Sequence, residues 1–129
     1  MAKAEGMTLE FVGPEHINHQ ILETFPYQGP KQRVVYTTTE FSAVCPFSGL
    51  PDLAKVVVDY IPAKAIVELK SLKYYYLSYR NVGIYQEHAT SLIYEHLWDA
   101  LKPTELTVTV TYQTRGGIDT TSSVNSLNQ

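Results

Sequence analysis

The chain has 129 residues, with 10 Lys or Arg against 13 Asp or Glu, so its formal net charge at pH 7 is −3. This balance argues against a protein that holds nucleic acid through its phosphates, and we expect no direct nucleic-acid partner. The length is typical of one domain. A single cysteine excludes an intrachain disulfide and a multi-cysteine zinc site. No apolar run approaches the roughly 20 residues that span a bilayer. We therefore predict a cytoplasmic protein with no membrane partner.

The first half of the chain predicts an arm followed by two strands. Residues 1–32 mix proline, glycine and one short apolar patch, which predicts an irregular N-terminal arm. Residues 33–44 and 53–62 are rich in β-branched and aromatic side chains, as strands are. The stretch between them, CPFSGLPD (45–52), contains two prolines and a glycine and predicts a loop.

The second half predicts two helices and two more strands. Residues 68–81 and 85–103 carry apolar side chains at helical spacing, and residues 105–114 alternate between apolar and polar. The RGG triplet (115–117) predicts a turn before a short fourth strand, and residues 120–129 predict a polar tail. The order ββααββ predicts an α+β fold, with both helices on one face of an antiparallel sheet.

Cys45 and Asp52 are the first candidate for chemistry. By residue type alone, a free cysteine is more often a small buried apolar residue. Its place at the start of a Pro/Gly loop is the kind of place where reactive residues occur. A thiol must lose its proton before it attacks, and a neighbouring carboxyl can carry that proton to the attacked group. The spacing Cys-x6-Asp alone leaves both interpretations open.

Charged side chains on the two helices give further candidates. Glu87, in the first turn of the second helix, is favoured there by the helix dipole. It could also accept a pair of N–H groups from a ligand. Lys70, Lys73 and Arg80 form a cationic stripe on the first helix. The stripe is either a solvated surface or a phosphate-binding surface, which Arg115 could extend.

The four histidines predict no metal site. His16 and His19 lie three residues apart, near metal-ligand spacing, but no third ligand accompanies them. His88 and His96 lie eight residues apart on the second helix, where their side chains project about 80° from each other. We therefore predict a protein without a metal cofactor.

Three stretches together resemble one family: EFSAVCPFSGLPD (40–52), YIPAKAIVELKSLKYYYLSYRN (60–81) and TYQTRGG (111–117). They resemble the short-form NADPH-dependent 7-cyano-7-deazaguanine reductases of the queuosine pathway, which are nitrile reductases of the tunnelling fold. The resemblance implies two hydride transfers from NADPH, from nitrile to imine and then to primary amine. It also implies a homo-oligomer of two stacked pentamers, in which neighbouring sheets form a continuous barrel with sites between subunits.

The resemblance implies roles for individual residues. Cys45 matches the nucleophile that forms a covalent thioimide, and Asp52 matches the acid that protonates the nitrile nitrogen. Glu87 matches the carboxylate that anchors the deazaguanine ring, with Gln86 beside it. The remaining matches are substrate contacts at Val67, Glu68 and Leu69, and NADPH contacts at Lys70, Lys73 and Arg115.

The sequence departs from the family at Gln86, where the usual residue is histidine. An amide can donate or accept a hydrogen bond, but it does not titrate near neutral pH. His88 does not obviously replace the imidazole, because a helix turns about 100° per residue. Leu50 also replaces the family's usual glutamine.

Two alternatives to the reductase remain open. One is an amidinotransferase of the same fold, which uses the same Cys/Asp pair on a nitrile carried by tRNA. Its relatives lack the helix motif associated with nicotinamide. The other is a catalytically inactive deazapurine-binding module or structural subunit, an alternative that the Gln86 departure keeps open.

Overall fold

The computed structural model describes residues 3–129. Its strands are β1 (Thr24–Pro26), β2 (Val34–Val44), β3 (Pro51–Ile61), β4 (Ala65–Val67), β5 (Glu105–Tyr112) and β6 (Thr121–Asn125). Its α-helices are α1 (Leu69–Leu77) and α2 (Gln86–Leu101), and short 3-10 turns span Pro14–His16, His19–Ile21 and Ser126–Asn128. Within residues 3–129, no helix is both long enough and apolar enough to cross a membrane.

The main sheet is antiparallel, with strand order β2-β3-β5-β6. Alternate residues of β3 and β5 are buried, as the period of two predicts. They form one core with the buried faces of both helices, including Tyr75 of α1 and Ile93 of α2. The predicted α+β fold, with helices packed on an antiparallel sheet, is therefore confirmed.

A β-bulge in β2 decides which face of the sheet Cys45 occupies. The register between β2 and β3 shifts by one residue between Thr38 and Phe41. Before the shift the even-numbered residues of β2 are the more buried ones, whereas after it Phe41 and Ala43 are buried. The same alternation puts Cys45 on the helix-covered face, together with Asp52. Without the extra residue, Cys45 would lie on the opposite face.

Three predicted boundaries differ from the structure. Asp52 was predicted in the loop but lies in β3 opposite Ala43, because proline is tolerated as the first residue of a strand and the ladder starts there. The helix predicted at 68–81 ends at Leu77 and continues as a turn. The predicted polar tail 120–129 is instead β6 and a final 3-10 turn, because Thr121–Asn125 pairs with β5.

The predicted irregular arm, residues 1–32, is more ordered than its composition indicates, although Met1 and Ala2 lie outside the described residues. Within it, β1 pairs with β4 in a separate two-stranded sheet that was not predicted. The backbone N–H of Glu68 also donates to the carbonyl of Glu23, at 2.9 Å. The arm therefore fixes the segment that leads into α1.

Candidate active site

Four parts of the chain meet around Cys45 in an open cleft of about 260 Å³. They are the loop after β2, the start of β3, the start of α2 and the turn after β5. The predicted residues that line this cleft are Cys45, Asp52, Gln86, Glu87 and Arg115. Its remaining walls are Pro46, Phe47, Ile84 and Tyr85.

The loop between β2 and β3 folds back on itself and brings Cys45 near Asp52. The N–H of Cys45 donates to the carbonyl of Leu50 at 2.9 Å, and the N–H of Gly49 donates to the carbonyl of Cys45 at 2.9 Å. Gly49 has a φ of +72°, which a residue without Cβ adopts at little cost. The loop is therefore a tight connection with a defined backbone.

The start of α2 is tied to the end of β2 by backbone hydrogen bonds. The N–H of Val44 donates to the carbonyl of Val82 at 3.0 Å, and the N–H of Ile84 donates to the carbonyl of Val44 at 3.2 Å. Val44 is adjacent to Cys45, and Ile84 is two residues before Gln86. These two bonds therefore place the first turn of α2 beside the thiol.

The N-terminal arm covers the loop between β2 and β3 from the other side. The N–H of Leu9 donates to the carbonyl of Ser48 at 3.0 Å. A Cβ on Gly49 would lie 2.5 Å from the Leu9 carbonyl oxygen, so this approach requires glycine. Further along the arm, Val12 accepts a hydrogen bond from Gly83 at 2.8 Å. The arm thus contacts two of the segments that build the cleft.

The surroundings of Cys45 favour its thiolate. Hydrogen bonds from the backbone N–H of Ser48 and then of Phe47 lower the pKa of the Cys45 thiol. The Ser48 side chain adds to this effect, and the positive charge of Arg115 adds a smaller one, while partial burial opposes it. A thiol with these neighbours is a better nucleophile at neutral pH than a free cysteine.

Asp52 is buried and forms an ion pair with Arg115. Asp52 as a whole is 7% exposed, and its Oδ1 accepts a hydrogen bond from Nη1 of Arg115. Arg115 begins a tight turn that closes on Ile118, with Gly116 at a φ of +58° and Gly117 at a φ of +77°. A buried carboxylate needs such a partner, because an unpaired charge away from water is strongly disfavoured.

Gln86 and Glu87 form the first turn of α2, at the edge of the cleft. The Gln86 carbonyl accepts hydrogen bonds from Thr90 Oγ1 at 3.1 Å and from Tyr112 Oη at 3.4 Å. Burial, followed by the nearby charge of Glu87, raises the pKa of Tyr112 well above its usual value. Tyr112 therefore stays a neutral donor that fixes the start of the helix, while the exposed Glu87 side chain remains available to a ligand.

The other predicted site residues lie around a second groove, between β2 and α1, of about 520 Å³. Leu69, Lys73 and Arg80 line this groove. Tyr76 lines it too, and within residues 3–129 its buried hydroxyl has no hydrogen-bond partner. Neither Lys73 nor Leu69 is among the residues lining the Cys45 cleft, so within one described chain the structure does not bring them together.

Val67, Glu68 and Lys70 lie next to this groove with contacts of their own. Val67 is buried at the end of β4, and its N–H donates to Tyr60 Oη at 3.2 Å. The Glu68 carboxylate is the N-cap of α1, and the N–H bonds of Ser71 and Lys70 lower the pKa of Glu68. The Lys70 ammonium lies 6.0 Å from the centroid of the Tyr74 ring.

Comparison with known proteins identifies the family. A family described as "QueF-like protein" matches residues 51–129. The chain belongs to this family. Among its QueF-like relatives, a protein of Thermotoga maritima named NADPH-dependent 7-cyano-7-deazaguanine reductase is 52% identical over 128 residues, covering 98% of this chain and 93% of the relative. A protein of the same name from Thermoanaerobacter pseudethanolicus is 50% identical over 110 residues, covering 84% and 83%.

One solved structure supports the same placement. A structure titled "Crystal structure of the archaeosine synthase QueF-Like in the apo form" superposes with a TM-score of 0.66 at 27% sequence identity. The match covers 77% of this chain and 96% of the other. The resemblance inferred from the three sequence stretches is therefore confirmed at the level of the family.

Several residues of the QueF-like cleft were not predicted from the sequence. The exposed rings of Phe47 and Tyr85 lie edge to face across the cleft, with centroids 6.0 Å apart. Ser48 lowers the pKa of Cys45, and Tyr112 donates a hydrogen bond to the Gln86 carbonyl at the start of α2. The first three lie within three residues of a predicted site residue, which is a usable signal. Tyr112 gave no such signal, because it is the last residue of a strand with regular apolar/polar alternation and is explained as a core residue.

Proposed function

We propose that this chain is an NADPH-dependent 7-cyano-7-deazaguanine reductase of the queuosine pathway, working in the cytoplasm. The observation that carries the proposal is the convergence of Cys45, Asp52 and Glu87 in one cleft. The chain is about half identical, over nearly its whole length, to relatives that bear this name. The reaction takes the nitrile of 7-cyano-7-deazaguanine to a primary amine.

The chemistry would begin at Cys45. Its sulfur adds to the nitrile carbon, so that a C–S bond forms and the C≡N bond becomes the C=N bond of a thioimide. The thiol proton passes to Asp52 and from there to the nitrile nitrogen, so that no free charge remains on the adduct. The Ser48 and Phe47 N–H groups that favour the thiolate lower the cost of the first step. Cys45 later leaves as the thiolate.

Bound NADPH would supply two hydrides: the first would take the thioimide to the imine as Cys45 leaves as the thiolate, and the second, together with a proton from solvent, would take the imine to the amine. The groove between β2 and α1 fits such a cofactor in its donor set. Lys73 and Arg80 suit phosphate groups, and Thr37, Thr38 and Ser42 of β2 line the same groove with hydroxyl groups. Lys70, one turn before Tyr74, adds a further positive charge at the helix N-terminus.

The flat deazaguanine ring would stack on an aromatic wall of the cleft. Phe47 and Tyr85 supply this wall, since both rings are exposed, line the cleft and contact each other edge to face. Glu87 would accept the ring's N–H groups, as a carboxylate does with a paired donor edge. Gln86 donates or accepts through its amide at the same edge. Val67, Glu68 and Leu69 would contact the ring from a neighbouring subunit.

We infer a homo-oligomer, of two stacked pentamers by resemblance, because one chain does not bring the cleft and the groove together. The edge strands of the main sheet are β2 and β6, and within the described residues each is paired with a strand on one side only. Such edges favour pairing with another copy. Joining β6 of one copy to β2 of the next would continue the sheet and carry the groove of one subunit towards the cleft of another.

The function is tested by mixing the protein with 7-cyano-7-deazaguanine and NADPH and following the reduced-nicotinamide absorbance. Consumption of two NADPH per nitrile, with the amine as product, supports the reductase. A Cys45 adduct seen by mass spectrometry without NADPH consumption would point to an amidinotransferase or an inactive binding protein. If neither a Cys45 adduct nor NADPH consumption is observed, catalysis on this substrate is ruled out.

A mixing experiment tests the shared site. Cys45→Ala and Lys73→Gln are prepared separately and co-expressed in equal amounts, and every sample is assayed with NADPH well below its KM, where Lys73→Gln is about tenfold impaired. If each site takes Cys45 from one subunit and Lys73 from the next, about a quarter of the sites contain both native residues. Activity near a quarter of wild type supports the shared site. No recovery beyond the two separate variants would contradict it.

A further inference from the structure

Arg115 is predicted from the sequence as a cofactor contact, but the structure pairs it with Asp52. Nη1 of Arg115 contacts Oδ1 of Asp52, and the side chains are 44% and 9% exposed. Arg115 lines the Cys45 cleft and is not among the residues that line the groove of Lys73. Because one partner is nearly withdrawn from water, removing the other would leave a buried charge without compensation.

The backbone around Arg115 holds its side chain in place. Arg115 and Ile118 exchange backbone hydrogen bonds of 3.0 and 2.9 Å across a tight turn. The two intervening glycines both have positive φ, which is typical of the two-residue hairpin turn. Just before the turn, Tyr112 of β5 lies opposite Ala54 of β3, two residues from Asp52. The register of neighbouring strands thus delivers the guanidinium to the carboxylate.

We propose that Arg115 is a positioning residue that holds the Asp52 carboxylate beside Cys45 before substrate arrives. The inference rests on the proposed function. A carboxylate in an ion pair is ionised, so Asp52 begins the cycle as the proton acceptor. It takes the thiol proton as the C–S bond forms, becomes a carboxylic acid, and returns to a carboxylate when the nitrile nitrogen takes that proton.

The charges facing Cys45 indicate what the loss of Arg115 would change. Asp52 lies on β3, Arg115 on the turn after β5, and Glu87, with the Tyr85 phenol, at the start of α2. Arg115 is the one cation among these groups, and its charge helps to lower the pKa of Cys45. Without it, the two carboxylates would disfavour a thiolate. The thiol should therefore report on Arg115 even in the absence of substrate.

The experiment compares Arg115→Gln with the matched charge-removing variant Lys73→Gln. Cys45 is the only cysteine, so its alkylation by iodoacetamide can be followed across pH without ambiguity. Thioimide formation with 7-cyano-7-deazaguanine is measured without NADPH. We expect Arg115→Gln to shift the alkylation midpoint upward by about 1 pH unit and to slow adduct formation about tenfold at neutral pH. Arg115→Lys, which keeps the charge, should restore most of the midpoint.

Lys73→Gln should leave the alkylation profile unchanged and raise the KM for NADPH. If Arg115→Gln leaves both the alkylation profile and the adduct rate unchanged, the proposal is wrong, and an increased KM for NADPH alone would assign Arg115 to the cofactor. If the wild-type protein forms no adduct, the proposed function fails, but the alkylation profile still decides the role of Arg115.

A double variant separates positioning from a direct charge effect. In an Asp52→Asn background, Arg115→Gln should slow thioimide formation by much less than it does alone, because there is no carboxylate left to position. An equal slowing in both backgrounds, after correction for the alkylation midpoint, would show that Arg115 acts on the thiol without Asp52. That outcome would overturn the positioning role.

Discussion

The Cys45 cleft and the Lys73 groove are built in different ways. The cleft draws on the ends of two strands, the start of a helix and a turn, which lie far apart in the chain. The groove is formed by β2, α1 and the turn that follows α1. Backbone hydrogen bonds between distant segments hold the cleft together, whereas exposed side chains on α1 and on the turn after it supply the cations of the groove.

This difference fits the two tasks that we propose for the cleft and the groove. A covalent step requires the nucleophile, the proton carrier and the substrate anchor to be held within fractions of an ångström. Binding the phosphates of a cofactor tolerates longer, mobile cationic side chains. We therefore expect substitutions in the cleft to lower the rate and substitutions in the groove to weaken cofactor binding.

The largest contrast should come from Cys45→Ala against Lys73→Gln. The first removes the proposed nucleophile and should lower kcat by about a thousandfold or more, while substrate still binds. The second should raise the KM for NADPH about tenfold, because it removes one proposed charge-assisted phosphate contact. Steady-state kinetics with both substrates measures these effects. Lys102→Gln, at an exposed helix end, is the control and should change neither parameter. Turnover by Cys45→Ala would refute the nucleophile assignment.

The contact between the N-terminal arm and the loop between β2 and β3 should be the next most sensitive feature. Gly49→Ala introduces a Cβ 2.5 Å from the Leu9 carbonyl at a φ of +72°. The loop must shift, which moves the Ser48 and Phe47 N–H groups away from Cys45. We expect kcat/KM for the nitrile to fall at least about tenfold and the free energy of unfolding to fall by about 1–2 kcal/mol.

Gly6→Ala is the matched control for this substitution. Gly6 has a φ of +77°, but a Cβ there meets no atom within 4 Å. It should reproduce the backbone strain and leave the nitrile kinetics unchanged. Equal kinetic losses in both variants would mean that the approach of Leu9 to the loop has no part in catalysis.

Gln86→His sharpens the role of the residue at which the chain departs from its family. If Cys45 and Asp52 carry the proton between them, an imidazole at this position is dispensable. We expect kcat to change by less than about fivefold near neutral pH, and a new ionisation to enter its pH profile near the usual histidine pKa. A gain of two orders of magnitude in kcat would instead mean that the native chain lacks a proton carrier. Gln86→Leu, which cannot donate a hydrogen bond, is the control for polarity.

The smallest effect is expected at His96, where both helices meet the arm. Nδ1 of His96 is 2.7 Å from Tyr75 Oη, and its ring stacks on His19 at 4.5 Å. Burial, followed by the charge of His19, lowers the pKa of His96, and Asp99 opposes the shift. As the pH falls below 6.5, the ordinary pKa of a histidine, His96 therefore takes up a proton more readily in the unfolded chain than in the folded one. Stability contributed by neutral His96 is lost with falling pH.

His96→Asn, which retains a polar partner for Tyr75, should reduce the drop in Tm between pH 7.5 and 5.5. Because the ring is partly exposed and solvent screens it, the change should be only about 2 °C. His88→Asn, at an exposed position on the same helix, should leave the drop unchanged. Identical pH dependence of Tm in His96→Asn and the wild-type protein would exclude His96 as its source.

Much of the fold could be predicted because the local patterns are strong. The alternation in β5 and the helical spacing around Ile93 each identify an element from a few neighbouring residues. The Cys45 loop with its Pro/Gly spacing, and the helix beginning at Glu68, also marked the family. The β1–β4 pair was missed because strands of three residues give too little periodicity to recognise.

The candidate site was only partly predictable for the same reason. Cys45, Asp52 and Glu87 could be named as residues, yet nothing local indicates that Arg115 reaches Asp52 across 63 positions. The β-bulge in β2 could not be predicted from the sequence either. Thr37, Thr38 and Thr39 are identical, so the run around the shift carries no alternation that could reveal an extra residue.

The sequence by itself determined the two α-helices, the four strands of the main sheet and the residues proposed for nitrile chemistry, because these depend on short-range periodicity and side-chain type. Only the tertiary structure decided which face Cys45 occupies, that Leu9 contacts the loop at Gly49, and that Arg115 pairs with Asp52. Those outcomes depend on strand register and on backbone hydrogen bonds between distant segments. Such pairings are set by the packing of the whole core, and a local stretch of sequence carries no record of them.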